Sequence, residues 1–279
     1  MSSAANLQQR EYWNGPVGEC WASLQEKIDL HLGEITDALI RFAAPQSGER
    51  VLDVGCGCGT TTLLLALKTE PEGAAAGIDI SVPMLNVARA RAMAQNADIV
   101  FLEADASTYE FQPVFDLAFS RFGIMFFADP VSAFVNLRSA LAPGGRLVFV
   151  CWRKFDENPW AWDPFQAALP LLPPQEPADP LAPGPFAFAD KARLRGILER
   201  AAFTRIEIEP FDGSVNMGAT AEEAAAQALN VGPLARAATG LDEAALEKIR
   251  RIVEVAYAPY QTPSGLLPPA ACWFVRATS

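Results

Sequence analysis

A glycine-rich turn directly after a short apolar run limits the fold of this chain more than any other feature. The apolar run covers residues 51–54, the turn covers Gly55–Gly59, and an amphipathic stretch begins at Thr60. Glycine has no Cβ, so it permits a tight turn and a close approach of the backbone to a ligand. In open α/β sheets such a turn lies at the carboxyl end of the first strand, where ligands bind. The sequence therefore predicts an α/β fold with a binding site at this turn.

The composition of the turn argues against two common phosphate-binding loops. A dinucleotide fingerprint needs Gly-x-Gly-x-x-Gly, but counting from Gly55 gives Gly57 and then Thr60, with Gly59 one position early. A P-loop needs a lysine at its end, and this turn has none. The carboxylate of Asp53, just before the turn, would repel a pyrophosphate and attract an ammonium group. The pattern favours a ligand with a positive charge.

Apolar runs and amphipathic stretches alternate along the rest of the chain, as in βαβ units. Strands are predicted over 50–54, 75–80, 99–102, 115–120, 146–152, 205–210 and 272–277, and helices over 60–68, 83–95, 130–141 and 191–202. Ser81 is a candidate N-cap, Asp129 caps the helix that follows it, and Pro143–Gly145 is a stop signal after that helix. We expect a Rossmann-like α/β fold whose seven-stranded, mostly parallel sheet carries helices on both faces.

Segments outside this alternation divide the chain further. We expect an N-terminal helical lid over 1–45, a core over 46–153 and 190–279, and substrate-side insertions over 154–189 and 213–265. The first insertion is rich in proline and aromatics, and the second should hold two helices over 219–260. Aromatic side chains could line an acceptor pocket or simply pack insertions on the core, namely Trp13, Trp21, Trp152, Trp160, Trp162 and Phe165.

Composition excludes several function classes. The formal net charge of -11 opposes binding of nucleic acid, whose recognition needs a basic face. His31 is the only histidine in the sequence, which argues against a histidine metal site and against a Ser-His-Asp triad. No metal site is predicted. Cys56 and Cys58 fit better as small loop residues than as a redox pair. The N-terminal residues lack an apolar signal region, and no stretch has the apolar length of a membrane span, so we expect a cytoplasmic protein.

Five motifs in chain order resemble one known family. Residues 53–59 have the form Asp-x-Gly-x-Gly-x-Gly, which resembles motif I of class I S-adenosylmethionine-dependent methyltransferases, and 77–81 resemble the second-strand motif of that family. Residues 103–106 resemble its third-strand segment, 115–122 its fourth strand, and 141–147 the turn before its fifth strand. The resemblance covers about Arg50 to Trp152 and is closest to the ubiquinone-biosynthesis-like small-molecule branch. Residues 12–16 resemble a segment that often precedes this domain and folds over the cofactor.

The resemblance implies S-adenosylmethionine as cofactor and a set of residues that hold it. Asp79 would accept hydrogen bonds from both ribose hydroxyls, Asp105 would hold the adenine amino group, and Ser120 and Arg121 would reach the methionine end. The complete implied set is Trp13, Asp53, Gly55, Cys56, Gly57, Asp79, Ile80, Met84, Asp105, Ala106, Ser120 and Arg121.

The implied activity is methyl transfer to a small-molecule acceptor by in-line displacement. His31 is the one candidate base, with ordinary packing as its alternative, and positioning can carry such a reaction without a base. A non-catalytic or regulatory cofactor-binding protein, a protein methyltransferase and a dinucleotide-dependent oxidoreductase are the alternatives. The acceptor is not identified, and a homodimer is left open.

Overall fold

Seven strands of a computed structural model form one sheet within the described residues, which are 4–175, 179 and 181–279. The strands are β1 Arg50–Val54, β2 Ala74–Asp79, β3 Val100–Glu103, β4 Phe115–Arg121, β5 Leu141–Trp152, β6 Thr204–Ser214 and β9 Pro269–Thr278. They lie in the order β3-β2-β1-β4-β5-β9-β6. Only β9 runs antiparallel to its two neighbours, β5 and β6. The expected mostly parallel sheet is confirmed.

Helices flank this sheet and contact its strands. They are α1 Ala4–Asn14, α2 Pro16–Ser23, α3 Gln25–His31, α4 Gly33–Ala43, α5 Thr60–Thr69, α6 Val82–Ala94, α7 Pro130–Ala140, α8 Pro159–Ala168, α9 Lys191–Arg200, α10 Ala221–Ala228, α11 Pro233–Ala237 and α12 Glu243–Tyr257. A small hairpin pairs β7 Gln261–Thr262 with β8 Gly265–Leu266. None of these helices is long and apolar enough to cross a membrane. Residues 1–3 of the expected lid, and 176–178 and 180 of the first expected insertion, lie outside the described residues.

The central strands are buried on both sides, which is why they read as continuous apolar runs. Leu52 of β1, Ile78 of β2, Phe119 of β4 and Phe149 of β5 are all fully buried in one core. Their burial, at about 25 cal/mol per Å² of apolar surface, drives assembly of the sheet. The carboxyl ends of β1, β2 and β4 therefore meet along one rigid edge.

The structure corrects two of the local predictions. Pro143–Gly145 do not form a separate turn, because β5 already begins at Leu141. Leu141 pairs with Phe115 and Arg146 pairs with Leu117, so the proline and glycines form a bulge inside the strand. Ser81 makes no side-chain cap on α6, since its hydroxyl instead donates to Trp13 O at 2.7 Å. The Asp129 cap is confirmed, with Ser132 N donating to its Oδ1 at 3.1 Å.

The second insertion holds a third helix that its pattern does not predict. Between α10 and α12, Gly232 adopts a φ of 103° and Pro233 begins the short α11. Proline is favoured in the first turn of a helix, and glycine takes the positive φ, so the two residues start a helix where we expect only a break. Thr220 and Asp242 cap the flanking helices.

Candidate functional site

The glycine turn forms a bent cradle between β1 and α5. Gly55, Gly57 and Gly59 have φ values of 67°, 53° and 79°, which side chains disfavour. A Cβ on Gly55 would lie 2.6 Å from Gly123 Cα, so here two backbone segments touch. A Cβ on Gly57 would meet only Met84 Sδ, at 3.6 Å. The turn thus leaves open space beside its backbone at Gly57.

Asp79, the last residue of β2, fixes the shape of this turn. Its Oδ2 accepts a hydrogen bond from Gly57 N at 2.8 Å, and its Oδ1 accepts one from Ser81 N at 2.8 Å. Burial raises the pKa of the carboxyl, and the hydrogen bonds from the backbone oppose this rise. The side chain faces the cavity at the sheet edge, where an additional hydroxyl donor would stabilise the charged form.

Asp105, just after β3, is held in place from two sides. Ser107 N and Oγ donate to its Oδ1 at 2.8 and 2.6 Å, and Asn6 Nδ2 of α1 donates to its Oδ2 at 2.7 Å. Asp105 and Ala106 both line the cavity. Helix α1 is therefore hydrogen-bonded to Asp105 just after β3, and both Asn6 and Asp105 line the cavity.

The N-terminal helices are fastened over the sheet edge by further backbone contacts. Asn14 Nδ2 donates to Ile80 O at 2.8 Å, and Val82 N donates to Asn14 Oδ1 at 2.9 Å. The Trp13 ring meets Phe126 edge to face, with 5.2 Å between ring centroids. These contacts place Trp13 in the cavity wall.

A charged cluster ties α3 to the glycine turn. Asp29 accepts a hydrogen bond from Thr60 Oγ1 at 2.6 Å and pairs with Arg91 at 3.2 Å. Its Oδ1 also lies 3.7 Å from Arg121 Nη2, and Arg121 Nη1 donates to Thr36 Oγ1 at 2.8 Å. Burial lowers the pKa of Arg121, and Asp29 opposes that effect. Arg121 thus presents a positioned guanidinium at the end of β4.

A single cavity collects most of the residues that the sequence singles out. Ten of the twelve predicted cofactor contacts line it, namely Trp13, Gly55, Cys56, Gly57, Asp79, Ile80, Met84, Asp105, Ala106 and Arg121. Asn6, Gln9, Asp29 and Gln227 also line it and were not predicted. They come from helices far from the motifs in the chain, and no local pattern marks them.

Asp53 and Ser120 are the two predicted contacts that do not line the cavity. Thr61 and Thr62 donate their hydroxyls to Asp53 Oδ2 at 2.6 and 2.7 Å, beneath the turn. Ser120 Oγ donates to Val54 O at 2.7 Å and is fully buried. Both side chains bond to elements that flank the turn, Asp53 to the first turn of α5 and Ser120 to the end of β1.

Part of the cavity lining is aromatic and apolar. This part, the aromatic chamber, consists of Trp21, Phe122, Phe126, Trp152 and Trp160 with Val215, Met217 and Val231. Trp13, Trp21, Trp152 and Trp160 thus line the cavity as the pocket interpretation expects, whereas Trp162 and Phe165 do not. Trp162 and Phe165 pack against Phe155, with 5.2 and 5.3 Å between ring centroids. Packing therefore accounts for two of the six aromatic candidates.

His31 lies at the end of α3 and lines the cavity. Gln227 Nε2 of α10 lies 3.3 Å from His31 Nδ1. Burial, with a smaller effect of Lys27, lowers the pKa of the imidazole to about 4. The ring is therefore neutral at pH 7, and its role as a base stays a prediction.

Comparison with known proteins connects this geometry to a family. The sequence profile described as a methyltransferase domain matches residues 51–145, which contain the turn, Asp79 and Asp105. A demethylmenaquinone methyltransferase of Thermus thermophilus is 46% identical over 67 residues, which make up 24% of this chain and 30% of that relative. Residues 51–145 therefore match a methyltransferase domain.

Solved structures resemble this chain over nearly its whole length. A phosphoethanolamine N-methyltransferase 2 of Haemonchus contortus, in complex with S-adenosyl-L-methionine, superposes with a TM-score of 0.58 at 19% identity. The match covers 97% of this chain and 59% of that one. A magnesium protoporphyrin IX methyltransferase of Synechocystis, with bound S-adenosylhomocysteine, gives 0.57 at 15% identity and covers 98% and 99%. At these identities the likeness shows the Rossmann-like fold.

The residues of the cavity fit S-adenosylmethionine, which the phosphoethanolamine N-methyltransferase structure holds. Gln9 Oε1 is buried at the cavity without a hydrogen-bond partner in the described part of the chain, and it is an acceptor for a donor that a ligand would bring. The open space beside Gly57 and the carboxylate of Asp79 provide a cradle and an acceptor for hydroxyl groups.

The cysteines of the turn are poor nucleophiles. Burial raises the pKa of Cys58 to about 12 and that of Cys56 well above its usual value. Both thiols stay protonated at pH 7, which agrees with their interpretation as small loop residues.

The buried carboxyl of Asp53 makes the stability of the protein pH-dependent. Burial raises its pKa from 3.8 to about 6, against the hydrogen bonds from Thr61 and Thr62. The folded state therefore binds the proton more tightly than the unfolded state, and stability from this group is lost as pH rises from 3.8 through 6. Above pH 6, ionisation of the buried Asp53 lowers the free energy of unfolding by on the order of 3 kcal/mol.

We expect Asp53→Asn to remove this pH dependence. The difference in free energy of unfolding, variant minus wild type, should grow by about 3 kcal/mol between pH 4 and pH 8. Urea unfolding of both proteins at several pH values measures it. His31 titrates in the same range with the opposite sign, but it is common to both proteins and cancels. A difference that stays constant with pH would contradict the assignment.

Proposed function

We propose that this methyltransferase moves a methyl group from S-adenosylmethionine to a small-molecule acceptor by in-line displacement at the carboxyl edge of the sheet. One observation carries the proposal: a single cavity joins the glycine turn, Asp79 and Asp105 to the aromatic chamber. Cofactor and acceptor then meet in one cavity. Ligands of open α/β sheets bind at this edge.

The cofactor assignment follows the donors and acceptors of the cavity. Asp79 accepts from the ribose hydroxyls, and its two existing bonds, from Gly57 N and Ser81 N, hold the carboxylate in place. Asp105 and Ala106 lie at the next strand end, which suits the adenine ring. Trp13 closes the cavity above the cofactor.

The methionine end of the cofactor lies near Arg121 in this proposal. A guanidinium is the strongest partner that a carboxylate finds in a partly dry site. Asp29 does not fully neutralise Arg121, since it lies 3.7 Å away and is shared with Arg91.

The protein contributes mainly by positioning the two reactants. Orienting them can supply about 7 to 11 kcal/mol of the barrier, so the reaction needs no strong base. The N-terminal helices, bonded to the ends of β2 and β3 through Asn14 and Asn6, exclude water from the cavity. The relatives are named as enzymes that transfer methyl groups, so they do not favour the alternative of a non-catalytic binding protein.

Calorimetry and a turnover assay test the proposal together. Purified protein should bind S-adenosylhomocysteine, and a screen of small-molecule acceptors with S-adenosylmethionine should release S-adenosylhomocysteine with at least one of them. A boiled sample and a sample without acceptor are the controls. Absence of binding by both nucleosides would overturn the proposal.

A further inference from the structure

The methionine end of S-adenosylmethionine bears an ammonium group and a carboxylate on the same carbon atom. The proposed function places the carboxylate at Arg121 and leaves the ammonium group without a partner. An ammonium group that moves from water into a partly dry cavity needs an acceptor, and a carboxylate is the strongest one. An acid beside Arg121 would meet this need.

Asp53 is the acid that the sequence pattern favours as the ammonium partner, but its side chain does not line the cavity. The residue is almost fully buried, and its Oδ2 accepts from the hydroxyls of Thr61 and Thr62 at 2.6 and 2.7 Å. The carboxyl is thus engaged with the first turn of α5. The ammonium group is left to an acid that the cavity does expose.

Three acids line the described part of the cavity, namely Asp29, Asp79 and Asp105. Asp105 follows β3 and Asp79 ends β2, and the proposed function assigns them to the adenine and the ribose. The sheet order β3-β2-β1-β4 then carries the methionine end toward Arg121, the last residue of β4. Asp29 is the lining acid at that end, because its Oδ1 lies 3.7 Å from Arg121 Nη2.

Three neighbours hold the carboxylate of Asp29 at the glycine turn. Thr60 Oγ1 donates to Oδ1 at 2.6 Å, Arg91 Nη2 donates to Oδ2 at 3.2 Å, and Gln25 Nε2 also donates to Oδ2. Arg91 does not line the cavity, and its Nη1 donates to Cys58 O in the turn at 2.8 Å. The carboxylate therefore has a fixed position before any ligand binds.

Asp29 can accept one more hydrogen bond. A carboxylate has about four lone-pair positions. Oδ2 uses two of them, for Gln25 and Arg91, and Oδ1 uses one for the single hydroxyl hydrogen of Thr60. Arg121 Nη2, at 3.7 Å, is too far from Oδ1 for a hydrogen bond. Oδ1 thus has room for a donor beside Arg121.

We propose that Asp29 binds the ammonium group of the cofactor while Arg121 binds its carboxylate. Opposite charges held 3.7 Å apart are complementary to an ammonium group and a carboxylate on one carbon atom. The inference rests on the proposed function, and it adds a cofactor-binding residue from α3, outside the segment 51–145 that the family profile matches. The same contact joins the N-terminal helices to the bound cofactor.

Two analogues of S-adenosylhomocysteine separate the ammonium group from the carboxylate. The deaminated analogue has a hydrogen in place of the amino group, and the decarboxylated analogue has a hydrogen in place of the carboxylate. Calorimetry on the full-length protein measures the Kd of each. Wild type should bind the deaminated analogue at least about tenfold more weakly than S-adenosylhomocysteine, the loss expected for one hydrogen bond between charged groups. Equal binding of these two nucleosides would overturn the proposal.

Asp29→Asn should remove most of this preference. The ratio of the two Kd values should fall to about threefold or less, because a neutral amide replaces the carboxylate. The preference for S-adenosylhomocysteine over the decarboxylated analogue depends on Arg121 and should not decrease. Glu26→Gln removes the same charge from an exposed position on the same helix, outside the cavity, and should change neither preference. If Asp29→Asn weakened all three nucleosides alike, Asp29 would have only a structural role and the proposal would be wrong.

Asp53→Asn tests the rival carboxylate. It should leave the preference for S-adenosylhomocysteine over the deaminated analogue unchanged, because Asp53 does not line the cavity. Loss of the preference in Asp53→Asn but not in Asp29→Asn would assign the ammonium group to Asp53 and overturn the proposal. Wild type that binds the nucleosides without distinguishing the ammonium group would refute this inference alone, whereas wild type that binds none of them would refute the proposed function.

Discussion

Asp79→Ala is expected to weaken the binding of S-adenosylhomocysteine by at least about 100-fold. Two ribose hydroxyls would each lose a charged acceptor, at about 1.5 to 3 kcal/mol apiece. The carboxylate also aligns the turn, because it accepts from Gly57 N at 2.8 Å. Isothermal titration calorimetry measures the Kd, and a thermal melt checks that the variant is folded.

The control for this experiment separates the hydroxyl contacts from general damage. Asp98→Ala removes an exposed carboxylate just before β3 and should leave the Kd unchanged. The 2′-deoxy analogue of S-adenosylhomocysteine should bind wild type more weakly than the parent nucleoside does. In Asp79→Ala the two nucleosides should bind alike, because the acceptor of that hydroxyl is gone. A persistent difference would place the ribose elsewhere.

Gly55→Ala is expected to lower the free energy of unfolding by about 3 kcal/mol. The new Cβ would lie 2.6 Å from Gly123 Cα, a backbone atom that cannot move aside alone, and the residue has a φ of 67°. Positive φ costs a residue with a side chain on the order of 1 kcal/mol, and overpacking adds about 1 to 3 kcal/mol. Urea unfolding measures the loss.

Gly48→Ala provides the matched comparison. Gly48 also has a positive φ, 85°, but a Cβ there meets no atom within 4 Å. Gly48→Ala should lower the free energy of unfolding only by the cost of the positive φ, about 1 kcal/mol. If both substitutions lowered the free energy of unfolding equally, the close contact between Gly55 and Gly123 would contribute nothing to the loss of stability.

The sequence predicts the strand-end acids well because their positions follow from local spacing. Asp79 comes one βαβ unit after the turn, and parallel strands bring their carboxyl ends to the same edge, so Asp79 and Asp105 both reach the cavity. The predicted strand boundaries agree with the observed ones within a few residues, because strands also follow from local patterns in the sequence. β1, for example, spans Arg50–Val54 as expected.

Other parts of the site depend on contacts between distant segments. Asn6 reaches Asp105 and Gln227 reaches His31 across 99 and 196 positions of the chain. Periodicity and spacing report on neighbours in the chain, so neither partner could be predicted. The side chain of Asp53 is a different case. Its position beside the turn was expected, but its direction, toward Thr61 and Thr62, depends on how α5 packs.

The position of β9 between β5 and β6 determines which strands stay unpaired while the chain is being synthesised. Strand β6 pairs with β9 alone, and β9 follows it by more than fifty residues, with α10 to α12 between them. Until β9 has emerged, β6 has no partner strand and the outer side of β5 is an unprotected edge. We expect nascent chains that stop before Pro269 to be prone to association and to chaperone binding, because these edges can pair with other chains.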